Sequence, residues 1–405
     1  MNFNISTELP IETNYQKYSI YILPIYIVLK PFYFAKSGLP QISDIFLFIT
    51  YFFYDGNDKF KLLSRKLSTN NIQIAEKILL ALVSYIVAIN VFFYSTTGNN
   101  NFSLIRRSIY YIFNYFAFIY SNRLLSIYKT KLTQYTFYAT AVSILIQLGS
   151  YQFGGGFNSK RAIANFNNPN QLGYYSLVAS TIIIIAYYRT INTDMKYKRL
   201  ALLLSLLSTT YLSFCSLSKA AIVAQLFLVG IVIGKGLMHI NLTKLVLIII
   251  VALFMIYAGM SAGTYQKVSE TKLYISVIHR LQDIGKSDDD SIEGRGYDRI
   301  IDYPNYIYCG AGEGEFIRFG RSMEIHSTIA NMLFSYGIIG SALFYSFLLR
   351  CIKYSKCKDL YIIIAFLIYG IAHNGTRNIM MWVAFSFLSY SEGLIEEDIG
   401  VYVYE

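Results

Sequence analysis

Eight side chains able to carry charge or move a proton recur along an otherwise apolar chain: Arg161, Lys219, Arg280, Arg295, Glu324, His326, His373 and Arg377. Guanidinium groups grip phosphate oxygens as a planar fork and stay charged at any working pH. Histidine exchanges a proton near neutrality, and Glu324, close before His326, is placed to orient its ring. Such a set suits a reaction in which a diphosphate departs while a hydroxyl loses its proton. Fixed cations stabilise the leaving charge, and the base creates the nucleophile. The chemistry requires these groups to meet, so the elements between them decide the matter.

Those elements are apolar. The chain has 405 residues, 55% hydrophobic and only 15% charged, with a mean hydropathy of +0.41. This is the composition of an all-α integral membrane protein, not of several soluble domains. Crossing about 30 Å of hydrocarbon takes about 20 apolar residues. Twelve runs are candidates: 18–35, 42–54, 78–95, 108–120, 132–151, 171–188, 200–216, 220–234, 245–263, 327–349, 359–372 and 379–391. The second, ISDIFLFITYFFY, is short and carries Asp44. Residues 1–17 are polar and acidic, without the basic-then-apolar order of a cleavable signal.

A net charge of +11 raises nucleic acid as a partner, but the cations sit in short loops between spans. With the amino terminus inside, loops 55–77, 121–131, 189–199, 235–244 and 350–358 hold 18 Lys or Arg, and the opposite short loops hold 7. The positive-inside rule selects that orientation and excludes the nucleic-acid reading. It divides the chain into helices 1–9 over 1–263, a large outer loop over 264–325, helices 10–12 over 326–391, and an acidic cytoplasmic tail over 392–405. All eight groups above then fall at or near one membrane face, and the bilayer itself is a partner.

On that face, SKRAIANFNNPNQLGYYS predicts a helix start, with Asn168 as cap, Pro169 as first residue and Asn170 in the first turn. Its free N–H groups, beside Lys160 and Arg161, suit an anion. The four cysteines are scattered and give no disulfide framework or metal spacing, so no metal or cofactor is expected. Asp288, Asp289 and Asp290 lack the spacing of a calcium loop and read as a solvated turn. GAGEGEF has no Lys-Ser/Thr after its glycines, against a nucleotide loop.

His326, Ser327, Gly337, Gly340 and Ser341 form a His-Asn/Ser-x9-Gly-x-x-Gly pattern. With KPFYFAKSGLPQISD, FNNPNQLGYYS and GRGYDRIIDYPNYIYCGAGEG, in that order, the chain resembles the O-antigen ligase and polymerase (Wzy-type) superfamily over most of its length. The resemblance implies a metal-independent glycosyltransferase on the periplasmic face of the bacterial inner membrane, with undecaprenyl-diphosphate-linked glycan as donor and acceptor. Arg161 matches the family arginine before the sixth span. Arg295 best matches the one in the outer loop, with Arg280 the alternative. Both family arginines hold the diphosphate, and His326 stands near the acceptor hydroxyl. Lys160, Asn170, His373 and Arg377 would line the substrate path, and a chain-length regulator and a flippase are the implied protein partners.

Plainer roles stand beside these. Arg161 can snorkel to lipid headgroups, and Gly337 with Gly340 can serve as close-packing points for a neighbouring helix. His373 and Arg377 can cap a tight helical turn. Within the superfamily, a repeat-unit polymerase, a ligase to the lipid A core and a protein O-oligosaccharyltransferase share the donor chemistry. Glu-Ile-His-Ser, in place of the ligases' His-Asn, favours the polymerase, whether of O-antigen, capsule or exopolysaccharide. A lipid-linked glycan flippase would hold its polar groups near the midplane and repeat its halves, and this chain shows no repeat.

Overall fold

A computed structural model describes residues 18–35, 40–54, 70–97, 102–154, 157–158, 161–190, 193, 196–237, 271–282, 291–314, 316–353 and 358–390. The chain is helical. Each apolar run coincides with helix except 245–263, which lies outside the described residues, as do Lys160, the three consecutive aspartates and the acidic tail. Five helices are long and apolar enough to cross a membrane: Ile72–Thr96, Pro169–Arg189, Lys198–Ser216, Lys219–Gly236 and Thr328–Cys351.

The main helices in chain order are α1 (Ile22–Leu29), α2 (Ile42–Tyr54), α3 (Asn70–Thr96), α4 (Ser103–Gly154), α5 (Pro169–Arg189), α6 (Lys198–Ser216) and α7 (Lys219–Leu237). After α8 (Lys272–Gln282) come three short helices, α9 (Ile292–Arg295), α10 (Asp298–Asp302) and α11 (Tyr306–Cys309), then α12 (Thr328–Cys351), α13 (Leu360–Ala372) and α14 (Ile379–Ser389). Strands β1 (Phe157–Asn158) and β2 (Arg161–Ala162) pair antiparallel just before α5.

Helix α5 is the axis of the bundle. Its Ile182 to Ala186 run is apolar all round, and a helix without a polar face is stable only when surrounded. Helices α4, α6, α7 and α14 pack around it. At its start, Asn168 Oδ1 accepts from the Asn170 N–H at 2.8 Å and Pro169 takes the first position, as the sequence predicts.

The expected loop over 121–131 is instead helical, and α4 is interrupted only at Lys129 (φ 46°, ψ −130°). Its contacts show a reversal there. Arg107 near one end meets Glu324, and near the other Gln147 Oε1 accepts from the Asn165 N–H just before α5. Between them, Tyr128 meets Ser19 below α1. One residue outside helical geometry replaces a loop because both arms are already paired with helices on either side.

Asp44 is the charge that weakened the second run as a span. Lys30, at the end of α1, binds both its oxygens at 2.6 and 2.8 Å, and both residues are buried. Paired in this way, the carboxylate is tolerated at a helix start in apolar surroundings.

Residues 291–314 and 316–327 pack with the start of α12 around a separate core of Ala311, Phe319, Ile325, Ala330 and Phe334. Phe319 packs between Tyr306 and Phe334 with ring centroids 5.6 and 5.2 Å away, fixing the segment to α12. Gly337 breaks α12 with φ 65° and ψ −167°. A Cβ there would stand 2.4 Å from the Tyr308 carbonyl oxygen, so only glycine fits. The close approach expected of Gly337 is therefore to the backbone of this element and not to a neighbouring long helix. Gly340 does face one, since a Cβ on it would lie 3.5 Å from Tyr85 of α3.

Candidate functional site

Arg161 leaves the β-hairpin toward the junction of α5 and α6. Its Nε donates to the Ser216 carbonyl at 2.9 Å and its Nη2 to Asn170 Oδ1 at 2.7 Å. Gly173 makes this possible, because a Cβ there would stand 2.7 Å from Ala221 Cβ and 2.8 Å from Ser216 Oγ. The end of α6 can thus approach the first turn of α5.

Arg295 ends α9, which Ser291 caps by accepting from the Gly294 N–H at 2.8 Å. Its Nη1 donates to the Ala372 carbonyl at 2.7 Å, where a cation complements the free carbonyls ending α13. Tyr297 OH adds a bond to the Ile371 carbonyl at 2.9 Å. His326 follows directly, since its backbone N–H donates to the Arg295 carbonyl at 3.3 Å.

Arg161, Lys219, Arg280 and Arg295 line one cavity of about 550 Å³, together with apolar Leu217, Val223, Ile368 and Ile371. Among the described residues, none in its lining is a carboxylate. Arg280 and Arg295, alternatives in the sequence, thus stand in the same wall. A second cavity of about 390 Å³ is lined by Tyr33, Tyr110, Asn114, Gln171, Asn374 and Arg377, among others. Asn170, His326 and His373 belong to both linings.

His326 is exposed at this junction. Desolvation pulls its pKa below the ordinary imidazole range; Glu324 opposes this, while Arg295, Arg377 and Arg299 add to the lowering. The neutral ring, which accepts a proton, is therefore favoured. His373 ends α13, its ring 5.1 Å from that of Tyr369, which stacks at 4.4 Å on Tyr174 of α5.

Glu324 directs its hydrogen bonds to arginines and not to the histidine. Its two oxygens go to Arg107 and, at 2.6 Å, to Arg377 Nη2, and the His326 ring makes no hydrogen bond to it. Arg377 Nε reaches Glu313 Oε1 at 2.8 Å, which completes a chain of two arginines and two carboxylates. Burial raises the carboxyl pKa values of Glu313 and Glu324, but Arg377 and Arg107 outweigh it and hold both below the usual range. For Arg377, burial opposes the charge, and the two glutamates more than compensate.

Glu313 and Arg107 are the residues that sequence reasoning missed. Glu313 is 3% exposed, and its Oε2 accepts from Tyr111 OH and Tyr336 OH at 2.9 Å each and from Asn331 Nδ2 at 3.1 Å. The break at Gly337 lies beside the Phe334 and Ser335 carbonyls, which accept from the N–H groups of Ala311 and Gly312 at 2.9 and 2.8 Å. GAGEGEF is thus the loop that carries a carboxylate into the bundle. Its signal was present in the sequence as an acid between glycines, followed by a Gly-x-x-Gly helix.

The sequence-predicted residues therefore divide into three groups. Arg161, Asn170, Arg280, Arg295, His326 and His373 share the first cavity. Glu324 and Arg377 line the second from within the ion-pair chain. Lys160 lies outside the described residues. No family model matches the chain, and no curated protein does.

Proposed function

We propose that the chain is a membrane glycosyltransferase that joins lipid-diphosphate-linked glycan repeat units, as its resemblance to the O-antigen ligase and polymerase superfamily implies. One observation carries this reading: a cavity with three arginines adjoins a second cavity at His326. In the reaction, the acceptor hydroxyl oxygen forms a bond to the anomeric carbon of the donor sugar. The bond from that carbon to the diphosphate breaks, and its electron pair leaves with the lipid diphosphate. His326 takes the hydroxyl proton, while Arg161, Arg295 and Arg280 stabilise the departing charge. The apolar residues in the same wall suit the start of a lipid tail.

This reading puts the protein in the bacterial inner membrane with twelve helices, both termini cytoplasmic and both cavities open to the periplasmic side. The excess of Lys and Arg in the alternate loops supports that orientation. Purified protein in lipid nanodiscs, given undecaprenyl-diphosphate-linked single repeats, is expected to form longer chains without added metal or nucleotide. No lengthening by an intact protein would sink the proposal. A deletion strain is expected to show lipopolysaccharide of core plus one repeat. Unmodified core with accumulated lipid-linked polymer would assign the ligase role instead.

A further inference from the structure

The second cavity differs in chemistry from the first. Among the described residues of its lining, the Lys, Arg, Asp and Glu side chains are already committed: Lys30 to Asp44, and Glu324 to Arg377. What it offers a ligand is amide. Asn114 is 1% exposed and Asn374 is partly buried, and both stand in the lining. Thr376 fixes the orientation of both. Asn114 Nδ2 donates to the Thr376 carbonyl at 2.9 Å. Asn374 Oδ1 accepts from the Thr376 N–H at 3.2 Å and from Thr376 Oγ1 at 2.7 Å.

Each amide therefore has one group left over. Asn114 Oδ1, an acceptor, and Asn374 Nδ2, a donor, are buried atoms without a hydrogen-bond partner among the described residues. Leaving such atoms unsatisfied is costly, and native structures seldom do so without a ligand or water in prospect. A hydroxyl satisfies both kinds of group, because it donates one bond and accepts others. Tyr33, Tyr110 and Tyr174 add ring surface around the same space.

We propose that the second cavity binds an uncharged, hydroxyl-rich sugar ring as acceptor, with Asn114 Oδ1 and Asn374 Nδ2 reading its hydroxyls. The inference rests on the glycosyltransferase reading above and adds the class of acceptor. A sugar there stands beside His326 and His373, which border both cavities, so its free hydroxyl faces the base. An acidic sugar brings a charge that neither free amide atom compensates, and Arg377 in the wall is already held by Glu324 and Glu313.

The test uses full-length protein in nanodiscs with two sets of probes. Saturation-transfer NMR reads the binding of methyl glucoside, galactoside, mannoside and N-acetylglucosaminide against methyl glucuronide. Titration calorimetry with farnesyl diphosphate reads the first cavity. At least one neutral glycoside is expected to show transfer, and the glucuronide none. Asn374→Asp keeps the Oδ1 bonds to Thr376 but removes the free donor. It is expected to weaken the neutral glycoside about tenfold while farnesyl diphosphate binds as before. Asn114→Leu is expected to weaken the glycoside at least as much.

Preference for the glucuronide overturns the inference. So does unchanged glycoside binding in both variants, or the absence of any glycoside signal from protein that still binds farnesyl diphosphate. A variant that loses both ligands overturns the separation of the two cavities. Failure of the unaltered protein to bind farnesyl diphosphate instead removes the glycosyltransferase reading on which the inference rests.

Discussion

Two groups of arginines lie in or beside the walls of neighbouring cavities, and their partners differ. Arg107 and Arg377 are tied to Glu324 and Glu313, so their charge is neutralised where it stands. Arg161, Arg280 and Arg295 line a cavity with no carboxylate among its described lining residues. Arg161 and Arg295 donate to backbone carbonyls and an amide, which orient each guanidinium at the cavity wall. Partners, more than residue type, separate an arginine that ties carboxylates into a fold from one that lines the first cavity.

The sharpest way to break this distinction is to remove its central carboxylate. Glu313→Ala leaves Arg377 without one of its two partners in a buried site and is expected to cost about 3–5 kcal/mol of stability. The measurement is thermal unfolding in detergent, with Arg161→Ala expected to shift the midpoint far less. An Arg161→Ala protein as unstable as Glu313→Ala would erase the contrast.

Activity should show the reverse ranking. Arg161→Ala and Arg295→Ala are each expected to lower chain growth about 100- to 1,000-fold, the usual loss for one preorganised donor at a developing negative charge. Quantifying product length with lipid-linked repeats checks this, and Arg→Lys at either position is expected to recover only part of the loss, because the ammonium lacks the fork. Gly337→Ala probes the link between the two groups. Its positive φ and the nearby Tyr308 carbonyl predict a loss of about 1–3 kcal/mol, with the Glu313 loop released first, readable by hydrogen exchange over 308–314.

The smallest effect is in pH dependence. Glu313 and Glu324 have lowered pKa values in the fold, so their stabilisation is fully present above the unfolded carboxylate value of about 4.3. It is lost as pH falls through the lower folded values. The unfolding midpoint is therefore expected to stay level from neutrality to about pH 5 and to drop below about pH 4. On the proposed function, the acid limb of chain growth is expected to follow a different group. With the His326 pKa depressed, that limb is expected below pH 6.5, the ordinary histidine value, and His326→Ala is expected to remove it along with most activity. A limb at or above that value would assign proton transfer elsewhere.

Much of this arrangement was legible in the sequence because it was local. The Asn168 cap, Pro169 and the cations ahead of α5 announce themselves within a few residues, as does His326 before its helix. The ion-pair chain was not legible, since its members come from 107, 313, 324 and 377 and only the fold brings them together. Glu324 looked like a partner for His326 because it is near in sequence, yet both its oxygens turn to arginines from distant elements. The reversal of α4 was hidden for a different reason. Residues 121–131 carry no glycine or proline, and the turn rests on one lysine in an unusual conformation that packing on both arms enforces.

The backbone hydrogen bond from the His326 N–H to the Arg295 carbonyl ties the two residues together. In the proposed reaction, the residue that holds the departing charge and the residue that takes the proton would thus share one backbone hydrogen bond. Neither group can be repositioned by evolution or by an engineer without retuning the other.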